Sequence, residues 1–192
     1  MYEQENYYSA GINFSGVRGY QMSPLISMIT AEFERSIHLI ESLDDEQYKR
    51  TANGTGSVGG HVRHNLDFIN GFLTGVAEGL IDYGRRERDV RIEVDRPFAI
   101  TAIEFAIERL NAIDAEMIEQ RVVVRSEIDG DLWHTSSISR ELEFVQSHTV
   151  HHHALIAEKL RGMGFELAAD FGVAPSTLKF WAESSEFLSE AC

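Results

Sequence analysis

The apolar positions of this chain recur at helical spacing over four separate stretches. From Ser23, SPLISMITAEFERSIHLIESL sets Ile26, Ile29, Phe33, Ile37 and Ile40 three and four residues apart, which keeps them on one face of an α-helix. Ser before Pro marks its start. The polar stretch DDEQYKRTANGTG, with its Asn-Gly and Thr-Gly steps, ends it. A second helix is predicted from about Ser57 to Gly79, striped by Val58, Val62, Leu66, Ile69, Leu73, Val76 and Leu80. A charged connector, IDYGRRERDVRIEVDRP, leads to FAITAIEFAIERLNAIDAEMIEQ, where Ile100, Ile103, Phe105, Ile107, Leu110, Ile113 and Ile118 predict a third helix with a broad apolar face. The β-branched run in VVVRSEIDGDLWHTSS, its Asp129-Gly130 turn and the shorter run after it predict a β-hairpin. The fourth helix, SRELEFVQSHTVHHHALIAEKLRGMG, is expected to begin near Ser139 as N-cap and to stop at Gly162 and Gly164. A short helix follows Pro175.

Four long amphipathic helices with small irregular parts predict an all-α four-helix bundle, with a β-hairpin before the fourth helix and a short C-terminal helix. Residues 1–22 show no sustained period and read as an irregular lead-in, with one domain over 23–192. The connectors are long for an up-and-down bundle, so crossover connections are expected. On the second helix Gly71, Gly75 and Gly79 line up with Phe68, His64 and His61. Each interior helical glycine costs about 1 kcal/mol relative to alanine. Close approach of another helix, or room for a ligand, would offset that cost.

Charge narrows the function. The 192 residues carry a formal net charge of −14, a field that repels a phosphate backbone unless a local basic patch opposes it. The one dense basic cluster, YGRRERDVR, carries its own acids. FGVAPSTLKFWAE superficially resembles a helix-turn-helix reader but holds one basic residue, Lys179. Nucleic acid is therefore not the expected partner. No apolar run approaches the ~20 residues that span a bilayer, and MYEQENYYSAGINF lacks the basic start and apolar core of a secretory signal. With Cys192 as the single cysteine, no disulfide staples the fold, and a reducing cytoplasm is the expected compartment.

The candidate chemistry lies in QSHTVHHHALI, residues 146–156, which holds His148, His151, His152 and His153, four of the eight histidines. At ~100° per residue, His148 and His152 stack one turn apart beside Phe144, Val145, Leu155 and Ile156. His151 turns to the flank. His153 points well away, among Gln146 and Ala157, and reads as incidental. Two imidazoles at i and i+4 can converge on one ion; the competing reading is a pair of core histidines satisfied by carbonyls or carboxylates. A third ligand would come from HVRH on the second helix. There the periodicity favours His61, nearer the main stripe, and leaves His64 on the glycine face.

SVGGHVRHNLDF and EFVQSHTVHHHALIAEKL resemble the two metal-binding helices of the DinB/YfiT-like superfamily, bacterial four-helix-bundle proteins. The matching positions are His64, with Asp67 three residues on, and then His148 and His152. RELEFVQSHTVHH and FGVAPSTLKF are also similar to a subgroup of small DinB-like proteins. The resemblance covers roughly residues 25–180 and implies that His64, His148 and His152 bind a divalent metal, zinc first and nickel as an alternative. His61 is the rival for His64. The extra histidines His61, His151 and His153 depart from the pattern. Three imidazoles leave coordination positions open, as catalytic sites do. The resemblance further implies a homodimer and a small-molecule substrate, with the metal activating an external low-molecular-weight thiol, or water, for thiol transfer or hydrolysis. The rival is a noncatalytic metal-binding or oligomeric bundle. A di-iron site is disfavoured, because the chain has no Glu-x-x-His. No general base is identified. Asp67 could orient the His64 ring or simply be solvated or paired on its helix. Arg85, Arg86 and Arg88 could bind a carboxylated thiol or form a solvated connector.

Overall fold

The structure, a computed structural model, describes residues 23–51 and 56–190; the expected irregular lead-in, the Asn53-Gly54 step and Cys192 lie outside them. The helices are α1 (Pro24–Ser42), α2 (Asp45–Lys49), α3 (Val58–Glu78), α4 (Arg91–Val94), α5 (Arg96–Asn111), α6 (Ile138–Gly162) and α7 (Pro175–Glu190). The strands are β1 (Leu80–Ile81), β2 (Arg121–Arg125) and β3 (Trp133–Ser137).

The bundle consists of α1, α3, α5 and α6. α1 and α3 each pack against both α5 and α6, which puts α1 diagonally across from α3 and α5 across from α6. The steps from α1 to α3 and from α5 to α6 therefore cross the bundle, as the long connectors implied. Their inward faces interlock through Ile29, Phe33, Ile40, Leu66, Ile69, Phe72, Ile103, Leu110, Leu142, Val145 and Leu160, all buried. α2, in the first crossover, and α4, in the connector after α3, are joined where the Tyr48 hydroxyl donates to the Ile92 carbonyl at 2.6 Å.

Helix ends follow local chemistry. Asp44 and Gln47 form a capping box at α2, and the Ser57 hydroxyl accepts from Gly60 N at 2.9 Å to start α3. α6 begins earlier than predicted. Its N-cap is Ser137, whose hydroxyl accepts from Arg140 N, while Ser139 N donates to the Ile118 carbonyl. The chain passes from β3 straight into the helix, so the last strand residue does the capping. α5 is shorter than predicted. It ends at Asn111, after which Asp114 captures Glu116 N and opens a 3₁₀ turn at Ala115–Met117. Its core face is Ala99, Ile103, Ala106 and Leu110, while Phe105 is 56% exposed.

The hairpin forms as expected, with β2 antiparallel to β3 and Val123 opposite Thr135. A strand that no sequence pattern announced, β1, joins it in parallel through Leu80–Val123 and Ile81–Val124. β1 also resolves the glycine stripe. A Cβ on Gly75 would lie 2.6 Å from Ile81 Cα, and Gly79, at φ 73°, is the left-handed residue ending α3. Gly75 thus admits the helix's own exit strand folding back on it.

Candidate metal centre

Two helices supply the centre. Ser57 caps α3 so that His61 and His64 fall in its first two turns, and α6, packed beside it, presents His148 and His152 from its middle. His64, His148 and His152 each offer one ring nitrogen, and these nitrogens lie within 4.8 Å of one another. His64 Nε2 and His148 Nε2 are 3.2 Å apart, and the His152 ring centre is 4.5 Å from that of His64 and 4.7 Å from that of His148. Two nitrogens bound tetrahedrally to one zinc ion at roughly 2.0–2.1 Å stand about 3.3 Å apart. The His64–His148 spacing fits that requirement.

The residues around the rings make them good donors. Burial, and after it the neighbouring rings, push the His152 pKa down to about 3 and that of His148 to about 4. His64 and His61 are lowered as well, chiefly by burial. All four are therefore neutral near pH 7 and present the lone pairs that a metal ligand needs. His148 Nδ1 is buried with no hydrogen-bond partner, so the protein alone leaves polar capacity unused here. The donor set thus fits a metal ion.

An aromatic wall backs the rings on one side. Phe68 stacks on His148 with centroids 3.9 Å apart, Tyr83 stacks on Phe68 at 5.3 Å, and Phe144 lies 5.2 Å from Tyr83. The Tyr83 hydroxyl donates to buried Glu141 at 2.9 Å, and Ser136 donates to the same carboxylate at 2.6 Å. The spacing of Phe68 and Phe144, one helical turn from His64 and His148, signals this wall in the sequence. Tyr83 and Glu141 carry no such signal, because their meeting depends on the connector and hairpin.

Of the connector arginines only Arg86 reaches the centre. Its guanidinium lies 4.9 Å over Phe68, its Nη2 donates to Glu127 at 2.7 Å, and its Nε is buried without a partner. Arg85 and Arg88 are exposed. Asp67 does not orient His64. Its carboxylate is 8% exposed, accepts from Arg63 Nη1 at 2.8 Å and takes the Arg88 backbone N–H. A cavity of about 470 Å³ between α3, α5 and the connector includes Asp67, Arg86, Phe105 and Arg109 in its wall but none of the histidines.

His151 is exposed, with its ring edge-on to His152 at 5.3 Å. His153 overturns the expectation that it is incidental. It is 1% exposed, with Nδ1 2.8 Å from Glu32 Oε2 and Nε2 2.8 Å from Ser36 Oγ, and Phe171 stacks on its ring at 4.9 Å. The carboxylate can only accept, so Nδ1 carries a proton, while Nε2 meets the Ser36 hydroxyl, which also donates to the Glu32 carbonyl at 3.3 Å. A Ser–His–Glu chain is also the composition of a hydrolase triad. With Ser36 5% exposed, a substrate carbonyl has no approach to it, and the chain instead ties α6 to α1. The helical wheel placed His153 correctly between Gln146 and Ala157. That face is buried too, because α6 packs against α1 as well as α3.

No family model matches the chain. Against curated sequences, it is 32% identical over 107 residues to FK506-binding protein 5 of Rhizopus delemar, covering 52% of this chain and 27% of that protein. The chain thus spans about a quarter of that relative's length. Among solved structures, a DinB-like protein of Bacillus subtilis, YjoA, superposes with a TM-score of 0.57 at 18% identity, covering 75% of this chain and 94% of that one. Among the described residues no helix is long and apolar enough to cross a membrane. Four bundle helices with crossover connections, three converging histidines on α3 and α6, and this superposition lead to one conclusion: the chain has the DinB-like fold.

Proposed function

We propose that this chain is a metal-dependent enzyme in which His64, His148 and His152 hold one divalent ion, for thiol transfer or hydrolysis. The convergence of those three ring nitrogens within 4.8 Å carries the reading. When bound, such an ion supplies Lewis acidity and lowers the pKa of a thiol or of water at its open positions. A thiol would come from outside, since no cysteine lies among the described residues. Phe68, Tyr83 and Phe144 shield one side of the site from water and offer apolar contact to a substrate. Arg86, held over Phe68 with its Nε free, is placed to take a carboxylate of the thiol or substrate.

In a noncatalytic metal-holding bundle, the second reading, the same three rings would hold the ion without turnover. The deciding experiment begins with elemental analysis of untagged protein, wild type beside His148→Ala and His152→Ala. Near-stoichiometric zinc or nickel in the wild type, lost in both variants, is the expected result. Metal-dependent turnover in a screen of low-molecular-weight thiols with chromogenic electrophiles would then support catalysis. Wild-type protein that takes up neither ion when supplied would refute the metal reading.

A further inference from the structure

His61 has no role in the ligand set just described. It precedes His64 by one turn of α3, and its ring centre lies 5.1 Å from that of His152, tilted by 46°. The contact runs between the two Nδ1 atoms at 2.9 Å, a hydrogen-bond length. It is shorter than the about 3.3 Å between two nitrogens on one tetrahedral ion, and His61 is not in the set of rings whose nitrogens lie within 4.8 Å of one another.

Proton counting gives this contact a direction. An imidazole that holds a metal is neutral, with one N–H and one lone pair. If His152 accepted from His61 at Nδ1, its own proton would sit on Nε2 and no lone pair would remain for an ion. His152 must therefore donate from Nδ1, which leaves Nε2 free to ligate. His61 in turn accepts at Nδ1 and carries its proton on Nε2, the nitrogen closest to where a side chain on Gly56 would begin.

We infer that His61 is a positioning residue, not a ligand: by accepting from His152 Nδ1–H it fixes the tautomer and the ring angle that aim His152 Nε2 at the ion. This rests on the reading that His64, His148 and His152 hold that ion. Ligand histidines usually donate their second N–H to a carboxylate, a carbonyl or water. Here a neutral imidazole takes that place, so His152 is oriented without added negative charge.

The test uses zinc and cobalt(II) with the full-length chain in three forms: wild type, His61→Ala and His61→Asn. The Asn Oδ1 sits near the position of the His Nδ1 and keeps the acceptor, while an amide is a poor metal ligand. Loss of the acceptor should weaken zinc binding by ~10–100-fold in H61A. H61N should stay close to wild type, and its cobalt(II) absorption bands should match the wild-type bands. Equal weakening in both variants with altered cobalt bands would make His61 a ligand and overturn the inference; so would H61A binding as tightly as wild type. Nitrogen-15 shifts of zinc-loaded wild type supply an arm independent of any variant. A protonated Nδ1 and metal-bound Nε2 at His152 are expected, and the reverse pattern rejects the assignment. Wild type that binds neither zinc nor cobalt fails the metal reading itself, a distinct result that removes the inference with it.

Discussion

Gly172 offers a test of how the return segment after α6 is held. Its φ is +74°, and a Cβ there would lie 2.5 Å from Ala154 N and 2.6 Å from Ala154 Cα. Both are backbone atoms of α6, next to His153, and cannot swing aside as a side-chain tip can. Gly164 has φ +88° with nothing within 4 Å of the same ideal Cβ, so it carries the conformational penalty without the clash. The left-handed conformation costs an alanine roughly 1–2 kcal/mol, partly offset by the about 0.4–1 kcal/mol that a stiffer unfolded chain returns. Gly164→Ala should therefore lose about 1 kcal/mol, and at most about 1.6. Gly172→Ala adds an overpacking cost of about 1–3 kcal/mol, because Phe171 must lift from the His153 ring or the segment from α6. At about 3 °C per kcal/mol for a domain of this size, Gly172→Ala should melt about 6 °C below Gly164→Ala. The assay is thermal unfolding by circular dichroism in chelator, which keeps metal linkage out of the comparison. Two variants melting within about 1 °C of each other would refute the close packing on which this figure rests.

Other outcomes follow from the same side chains. Supplying zinc at about one hundred times its dissociation constant should stabilise the wild type by about 2.7 kcal/mol and leave His148→Ala unmoved, read by thermal shift with and without chelator. Ser36→Ala removes the hydroxyl partner of buried His153 Nε2 and should cost about 1–3 kcal/mol in urea unfolding; an unchanged midpoint would show that the hydrogen bond contributes nothing. The metal-free protein should also lose stability in acid. His148 and His152, ordinarily near 6.5, are held near 4 and 3 in the fold, so below pH 6.5 the unfolded chain binds protons that the native state does not. Their contribution is complete above pH 6.5 and declines as the pH falls toward 4 and 3. Urea unfolding across that window should show the decline, and replacing both rings by alanine should flatten it.

Much of the bundle is written in periodicity. The stripes of α1 and α3 named Ile29, Phe33, Leu66 and Ile69, and all four are buried. On α5 the pattern misled, since its larger residues drew attention from Ala99 and Ala106, the small ones that face the core. α6 has two buried sides, and the second is made of Gln146, Thr149 and His153, polar groups that hydropathy assigns to water. His148 and His152 were visible because both lie on the apolar side and one turn apart. Between His64 and His61 the periodicity leaned to His61, whereas the structure brings His64 to His148; a rotation of a few tens of degrees about α3 decides which ring meets it. Asp67 takes the second of its two expected roles, pairing with Arg63 on its own helix; its other partner, the backbone of Arg88, lies in a connector whose path no local signal gives.

The small sheet has a consequence for how this architecture can vary. β1 begins directly after α3, and β3 runs into the cap of α6, so the sheet works as a calliper across the two helices that bear the histidines. The jaws are the Leu80–Val123 and Arg121–Ser137 pairings, and a slip of one residue there would turn every side chain of a strand to the other face. The hairpin tip is a different matter. Ile128 is fully exposed at 100%, and beyond the Arg86–Glu127 pair the turn around it is closed by its own contacts, Ser126 to Asp129 and Arg125 to the Gly130 carbonyl. Extra sequence inserted at this tip, by evolution or by design, would lengthen the handle and leave the jaws set.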